Sequence, residues 1–182
     1  MISGRAKGHR LKVPRGLLIR PTTGLVRGAI FSMLEAQGRP WSRVLELYAG
    51  TGALGIEALS RGAEKVDFVE RDERCCAAMK ESLAIVKLAE RAHVFCCDVD
   101  KALTFLKAEY DVILLDPPYS EVSLDKLLAR LVISKAAATC STIVVQHSIR
   151  QQLQSNYNGM VLLRQRRYGD TCVSMYGKEA LG

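Results

Sequence analysis

The feature that most constrains this chain is a glycine-rich segment between an apolar run and a helical pattern. Residues 43–48 are predicted to form a buried strand, and residues 50–55, Gly-Thr-Gly-Ala-Leu-Gly, match GxGxxG at the start of a helix predicted at 52–61. Glycines there let the backbone approach a ligand, which also meets the free N–H groups of the helix N-terminus. In this context, and together with Glu70 at the end of the next predicted strand, the segment predicts an α/β protein that binds a nucleoside-containing cofactor.

The rest of the chain alternates between strand-like and helix-like patterns. Further strands are predicted at 65–70, 92–97, 111–116 and 141–147, with helices at 72–88, 99–107 and 123–135. This alternation is typical of βαβ units and a parallel sheet with helices on both faces. Two final extended runs, 160–168 and 171–177, meet at Gly169-Asp170 and predict an antiparallel hairpin. The expected fold is Rossmann-like, with seven strands that are mostly parallel.

Basic residues are concentrated at the N-terminus. Residues 1–43 hold nine Lys and Arg and a single acid, so they carry a net charge of +8, whereas the other 139 residues sum to −1. Such an asymmetry favours a polyanionic partner, most simply nucleic acid. Apolar and turn residues interleave with these charges, which predicts an ordered arm, followed by a helix capped by Thr22 or Thr23. The bases predicted to bind RNA are Arg5, Lys7, Arg10, Lys12, Arg20 and Arg27.

Acidic residues lie near the carboxyl ends of the predicted parallel strands, at Glu46, Glu70, Asp98 and Asp116. Glu70 follows Gly50 by 20 residues, the spacing at which a carboxylate meets ribose hydroxyls. The glycine loop suits NAD or S-adenosylmethionine, but carboxylates at this edge suit an ammonium and a sulfonium better than a pyrophosphate. Two alternatives stay open, because Asp98 could cap the next helix and Glu46 could be structural.

Asp116-Pro117-Pro118-Tyr119 follows the fourth predicted strand. Two prolines make a stiff turn without backbone N–H groups, so Asp116 and the Pro117 carbonyl offer acceptors and Tyr119 offers a flat face. An exocyclic base amine is a poor nucleophile because its lone pair is delocalised into the ring. Acceptors aligned to its N–H bonds can hold it towards a methyl group, while the aromatic ring stacks on an extruded base. These four residues are the predicted catalytic residues for methylation of a base amine.

Together these motifs resemble those of class I S-adenosylmethionine-dependent methyltransferases acting on base amines. The arm Gly4-Arg5…Lys7-Gly8…Arg10-Leu11-Lys12 with Arg20-Pro-Thr-Thr…Val26-Arg27 is similar to a bacterial family that methylates the 2-amino group of a guanine in small-subunit (16S) ribosomal RNA. The resemblance implies that the loop holds the methionine part of the cofactor, Glu70 the ribose and Asp98 the adenine amine. It implies that the guanine meets residues 116–119. The expected cofactor-binding residues are Glu46, Tyr48, Gly50, Thr51, Gly52, Glu70, Arg71, Asp98, Val99 and Asp116.

The chain departs from this family at Gly24-Leu25 and Gly28, where the family usually has Asp-Arg and Glu. Two glycines weaken that helix by about 1 kcal/mol each relative to alanine, and any contact made by the usual charged residues is missing. The resemblance implies a basic arm and helix for RNA docking at residues 1–40, and a methyltransferase domain at residues 41–182.

The expected protein is a cytoplasmic monomer that acts on ribosomal RNA in small-subunit particles, without a metal or a membrane. It lacks an 18-residue apolar run and the apolar start of a secretory signal, and its six cysteines, which show no CxxC spacing, are interpreted as buried reduced thiols. Two other functions stay open. An adenine-N6 methyltransferase of DNA or RNA would also use Asp-Pro-Pro-Tyr, but no separate target-recognition domain is visible. A non-catalytic RNA-binding assembly factor would not need that motif intact.

Overall fold

The computed structural model describes residues 1–14, 22–39, 41–118 and 123–178. Its helices are α1 (Gly24–Glu35), α2 (Ala53–Ser60), α3 (Glu73–Ile85), α4 (Val99–Phe105) and α5 (Leu124–Leu131), with a 3-10 turn at Ala89–Arg91. Its strands are β1 (Arg43–Leu47), β2 (Lys65–Glu70), β3 (Ala92–Cys96), β4 (Tyr110–Leu115), β5 (Ala137–Ser148), β6 (Asn156–Tyr157), β7 (Met160–Tyr168) and β8 (Thr171–Gly177).

All of these strands join one sheet in the order β3-β2-β1-β4-β5-β8-β7-β6. The first five are parallel, and β8, β7 and β6 are antiparallel to their neighbours. The α/β fold with a C-terminal antiparallel hairpin is therefore confirmed, and the turn at Gly169-Asp170 joins β7 to β8 as predicted.

The predicted strand count of seven is wrong, because the described residues form eight strands. The additional strand is the two-residue β6, which pairs with the start of β7 across Asn158-Gly159. Both turn residues have a positive φ, 50° and 87°, as a two-residue type I′ turn requires. The Asn-Gly pair is the sequence signal for this hairpin, but β6 is too short to show the alternation that predicts a strand.

The sheet separates two apolar cores, because successive side chains of a strand point to opposite faces. The first core packs α1, α2 and α3 against residues such as Val44, Leu114 and Val144. The second packs α4 and α5 against the other face, at residues such as Leu45 and Ile143. The carboxyl edge of the sheet is left for the loops that follow β1, β2, β3 and β4.

The N-terminal arm is fixed to the body, as its interleaved apolar residues predicted. The fully buried Glu57 of α2 accepts hydrogen bonds from the backbone N–H groups of Ile2 and Ser3, at 2.8 and 2.9 Å. The Ser60 hydroxyl accepts the N–H of the buried Ala6 at 2.8 Å. Gly4 has a φ of +74°, and a Cβ there would overlap the Ser60 carbonyl. Residues 1–14 therefore pack onto the helices that cover the first core.

The cysteines only partly match their interpretation. All six are free thiols, and Cys75, Cys76 and Cys172 are buried. Cys96 and Cys140 are exposed, so for these two the prediction of burial is wrong. Cys96 ends the edge strand β3, where one flank of the sheet has no covering strand among the described residues. Within the same residues, no helix has the length and apolarity needed to cross a membrane.

Candidate active site

The site lies where the order of the strands reverses. The chain passes from β1 outward to β2 and β3, and then returns to the other side of β1 as β4 and β5. In open parallel sheets this switch point opens a crevice at the carboxyl edge, where ligands bind. Glu46, Glu70, Asp98 and Asp116 all belong to this edge, so the structure brings together the four acids that the sequence singled out.

The glycine loop turns sharply between β1 and α2. Gly50 and Gly52 have φ values of 54° and 76°, and the N–H of Gly52 donates to the Ala49 carbonyl at 2.7 Å. A Cβ on Gly52 would come within 2.8 Å of Met79 Cγ. The half-buried Tyr48 also has a positive φ, 57°, which is uncommon for an aromatic residue and marks local strain at the crevice. Thr51 is buried between these positions.

Glu46 lies behind this loop. Its carboxylate is buried and accepts the backbone N–H groups of Leu54 and Gly55 at 3.2 and 2.8 Å. Burial raises the pKa of Glu46 to about 8, and the negative charges of Asp116 and Glu70 add to the rise. A Cβ on Gly55 would overlap the Phe68 ring and crowd Glu46. Glu46 therefore holds the N-terminus of α2 in place, and its direct contact with a cofactor stays a prediction.

Glu70 is held at the mouth of the crevice by two backbone groups. The N–H of Gly50 donates to its Oε2 at 2.7 Å, and the N–H of Asp72 donates to its Oε1 at 2.9 Å. Each carboxylate oxygen has a second lone pair for a further hydrogen bond. Glu70 thus joins the glycine loop to β2 and keeps acceptor capacity for two hydroxyl groups. The neighbouring Arg71 is exposed.

Asp98 follows β3 and occupies the position before the first residue of α4. Its carboxylate is exposed and caps none of the described backbone N–H groups, so the alternative of a helix cap is not what the structure shows. Val99 is buried and begins α4, where first-turn N–H groups have no intrahelical acceptor. An acceptor and a donor are therefore side by side, an arrangement that matches the adenine edge.

Asp116 follows β4 and is contacted by a residue distant in sequence. The buried Thr22 donates its hydroxyl to Asp116 Oδ2 at 2.7 Å. Thr23, and not Thr22, caps α1 by accepting the N–H of Val26 at 3.3 Å. Pro117 is buried and Pro118 is exposed, whereas Tyr119 lies outside the described residues. The structure thus places the start of α1 against the Asp-Pro-Pro segment.

Sequence reasoning missed two residues at this edge. Thr22 was considered only as a helix cap, and its contact with Asp116 spans 94 residues, which no local pattern can reveal. Gln146 is the other: it is one residue past Val145, which pairs with Leu115 of β4, so it lies beside Asp116. Gln146 is buried, and its Oε1 has no hydrogen-bond partner in the described structure. A single glutamine in an apolar strand gave no usable signal.

The predicted RNA-binding residues divide into two groups. Arg5, Lys7, Arg10 and Lys12 are all exposed on the arm. Arg27 is only 15% exposed, and its Nε lies 3.9 Å from Glu57 Oε2, so most of its side chain faces the protein. Arg20 lies outside the described residues. The described part of the chain contains no group of three or more His, Cys, Asp or Glu arranged for a metal ion.

Comparisons with known proteins place the chain in a family. Residues 1–177 match the family model described as Conserved hypothetical protein 95. The "Putative rRNA methyltransferase YlbH" of Bacillus subtilis is 38% identical, over 98% of each chain. The "Ribosomal RNA small subunit methyltransferase D" of Escherichia coli is 29% identical, over 100% of this chain and 91% of that protein. The solved structure of "Putative methyltransferase yhhF" from Escherichia coli is 30% identical with a TM-score of 0.85, over 99% of this chain and 97% of that one. The resemblance found in the sequence is thereby confirmed. The chain belongs to the Conserved hypothetical protein 95 family, and its relatives include ribosomal RNA small subunit methyltransferase D proteins.

Proposed function

We propose that this protein transfers a methyl group from S-adenosylmethionine to the exocyclic 2-amino group of a guanine in 16S ribosomal RNA. The observation that carries the proposal is the position of Asp116 and its two prolines at the carboxyl end of β4, beside the crevice formed by the glycine loop and Glu70. The names of its relatives support ribosomal RNA methylation as the general activity. The choice of guanine N2 rests on the resemblance of the arm and of residues 116–119.

The residues of the crevice fit S-adenosylmethionine. The glycine loop accommodates the methionine part, Glu70 accepts the ribose hydroxyls, and Asp98 with the Val99 N–H meets the adenine edge. When bound, the cofactor supplies an electrophilic methyl group. The acids that surround the crevice favour the positive charges of S-adenosylmethionine over the negative pyrophosphate of NAD. The residues of the crevice therefore agree with methyl transfer.

Asp116 orients the reacting nitrogen. Its carboxylate has about four lone-pair positions, so it can accept an N–H of the guanine amine while it accepts the Thr22 hydroxyl. Together with the Pro117 carbonyl, it turns the nitrogen lone pair towards the methyl group. Asp116 can also accept the proton that the amine releases after transfer. Tyr119 is assigned to stacking on the extruded base.

Thr22 is a positioning residue in this scheme. It does not touch the substrate, but its hydroxyl fixes one oxygen of Asp116. Because Thr22 immediately precedes the cap of α1, the helix and the adjoining arm set the orientation of the catalytic carboxylate. This contact connects the part of the chain proposed to dock RNA with the residue proposed to hold the amine.

The decisive experiment uses labelled S-adenosylmethionine and undermethylated small ribosomal subunits, followed by identification of the modified nucleoside. We expect N2-methylguanosine from the unaltered protein and a large loss of product from Asp116→Ala with unchanged cofactor affinity. N6-methyladenosine would instead support the adenine methyltransferase. Subunit binding without any product would support the assembly factor. We also propose that the protein is a cytoplasmic monomer that acts on the assembled particle. The same assay with naked RNA shows whether the assembled particle is required, and gel filtration measures the oligomeric state.

A further inference from the structure

The charges of residues 44–178 are unevenly distributed, although their sum is close to zero. Residues 44–140 contain 16 acids and 12 bases, whereas residues 141–178 contain five bases and one acid, Asp170. The C-terminal part of the sheet is therefore a second basic region, separate in sequence from the arm. Three of its arginines, Arg150, Arg164 and Arg166, form what we call the hairpin basic surface.

The hairpin basic surface lies at the same edge of the sheet as Asp116. Strand β8 is antiparallel to β5, so Thr171 at the start of β8 pairs with Ser148 at the end of β5. The end of β7 then pairs with the start of β8, from Tyr168 to Thr171. Arg166 is two residues before that end, so it shares the carboxyl edge with the catalytic segment.

Arg164 and Arg166 also share a face of the sheet with the arm and α1. They pair with Met175 and Val173 of β8, and both of these residues belong to the core under α1, α2 and α3. Directly opposite residues of antiparallel strands project to the same face. Arg166 pairs with Val173, and Val173 pairs with Gln146, which lies beside Asp116. Arg166 is therefore three strands from Asp116, about 14 Å at the usual strand spacing.

The three guanidinium groups are available for a ligand. Arg150, Arg164 and Arg166 are exposed, and no side-chain hydrogen bond or ion pair engages them within the described residues. Arg167, by contrast, pairs with Cys172 beside these residues and donates its Nε to the Gly169 carbonyl at 2.9 Å. Unpaired like charges repel one another and gain most from a polyanion, and guanidinium groups match phosphate oxygens in a two-bond geometry.

We propose that Arg164 and Arg166, with Arg150 at the edge of the sheet where β5 ends, bind the phosphate backbone of the RNA substrate on the opposite side of Asp116 from the arm. The proposal rests on the proposed function, because the ligand is the RNA that delivers the target base. A base held at Asp116 would then have its flanking backbone contacted by two basic surfaces. The arm supplies one of them, over α2 and α3, and the C-terminal hairpin supplies the other.

The test compares Arg164→Gln/Arg166→Gln with the matched control Lys65→Gln/Lys107→Gln, which removes the same charge from exposed residues near the opposite edge. Affinities for naked RNA and for the assembled small subunit are each measured as a function of salt concentration. Removal of two phosphate-binding side chains lowers the slope of log affinity against log salt by about 1.4 to 1.8. If the lines converge near 1 M salt, affinity at 0.1 M falls about 25- to 60-fold. The control should retain the original slope, and S-adenosylmethionine affinity should be unchanged in both.

Four outcomes would count against the inference. A double arginine variant with unchanged RNA affinity and salt slope, but increased self-association, would show that these charges only protect the exposed edge of β7. Weaker binding to the assembled particle alone, with naked RNA unaffected, would assign the surface to a protein contact. An unaltered protein that methylates neither the naked RNA nor the assembled particle would reject the proposed function itself. If the unaltered protein is active and the arginine variant equals it, only the hairpin basic surface is rejected.

Discussion

Replacing Thr22 by valine removes one hydroxyl and keeps the size of the side chain. In the native structure that hydroxyl donates to Asp116 Oδ2 at 2.7 Å, in a buried position. A hydrogen bond to a charged group contributes about 1.5–3 kcal/mol. If this energy is used to hold Asp116 in its reactive orientation, its loss lowers kcat by about tenfold to one-hundredfold, because each 1.36 kcal/mol corresponds to a factor of ten.

The assay is steady-state methyl transfer to small subunits, with separate measurements of cofactor and RNA affinity. We expect Thr22→Val to lower kcat while the Kd values for both ligands stay close to those of the unaltered protein. Thr22→Ser keeps the hydroxyl and should recover most of the activity. This pattern separates positioning of Asp116 from a general loss of structure, which would affect all three measurements.

The adjacent threonine provides the matched control. Thr23 caps α1 through Val26, and its hydroxyl is directed to the helix backbone and not to Asp116. Thr23→Val should therefore lower the free energy of unfolding by about 1 kcal/mol and leave kcat nearly unchanged. Equal kcat values for Thr22→Val and the unaltered protein would refute the positioning role. Equal decreases in the valine and serine variants of Thr22 would refute it as well.

Four other sets of substitutions test the crevice, the arm and the proposed stacking. Glu70→Ala should weaken S-adenosylmethionine binding about ten- to one-hundredfold, because hydrogen bonds to a charged acceptor are removed; calorimetry that shows an unchanged Kd would contradict the assignment. Arg5→Ala combined with Lys7→Ala should weaken RNA binding and lower its salt slope by about 0.7 to 0.9 for each phosphate that is no longer neutralised, without a change in cofactor affinity; full RNA affinity at moderate salt would remove the arm from the docking surface. Because burial raises the pKa of Glu46 to about 8, the native state retains a proton that the unfolded chain releases above pH 4.5. The free energy of unfolding should therefore fall as pH rises towards 8, by at most about 1.4 kcal/mol for each pH unit, and denaturant titrations should show a flatter profile for Glu46→Gln. Tyr119→Phe should keep most of the methylation rate and Tyr119→Ala should abolish most of it if stacking dominates; equal decreases would assign the function to the hydroxyl.

The packing of the arm also determines how its role can be tested. Deletion of residues 1–20 would leave Glu57 and Ser60 without the N–H groups of Ile2, Ser3 and Ala6. Hydrogen bonds of this kind contribute about 0.5–3 kcal/mol each, and the apolar arm residues Met1, Ala6 and Leu11 also pack on the first core, so a truncated chain would be less stable and would also bind RNA less tightly. Substitution of exposed side chains such as Arg5 and Lys7 removes charge alone and gives the clearer answer.

Local patterns were sufficient to predict the parallel sheet, the crevice and its acids. The glycines of residues 50–55 can be identified from sequence because a tight turn from strand to helix tolerates few other residues. Glu70 and Asp98 can be identified because the carboxyl ends of neighbouring parallel strands meet at one edge. The sequence also holds signals for the short β6, at Asn158-Gly159, and for the excess of bases in residues 141–178, but neither signal shows where these residues lie in the sheet.

Contacts between distant segments needed the tertiary structure. In the sequence, two adjacent threonines are equivalent candidates for the helix cap. In the structure, the Thr22 hydroxyl donates to Asp116 and Thr23 caps α1, because the start of α1 lies against the end of β4. The motif alone does not show whether Glu46 contacts a ligand or the backbone of α2. In the structure Glu46 is buried and accepts the backbone N–H groups of Leu54 and Gly55. Likewise, the hairpin arginines reach the carboxyl edge of the sheet only because β8 runs antiparallel to β5. Sequence determines which groups are present and their local geometry, whereas the path of the chain through space determines which of them meet.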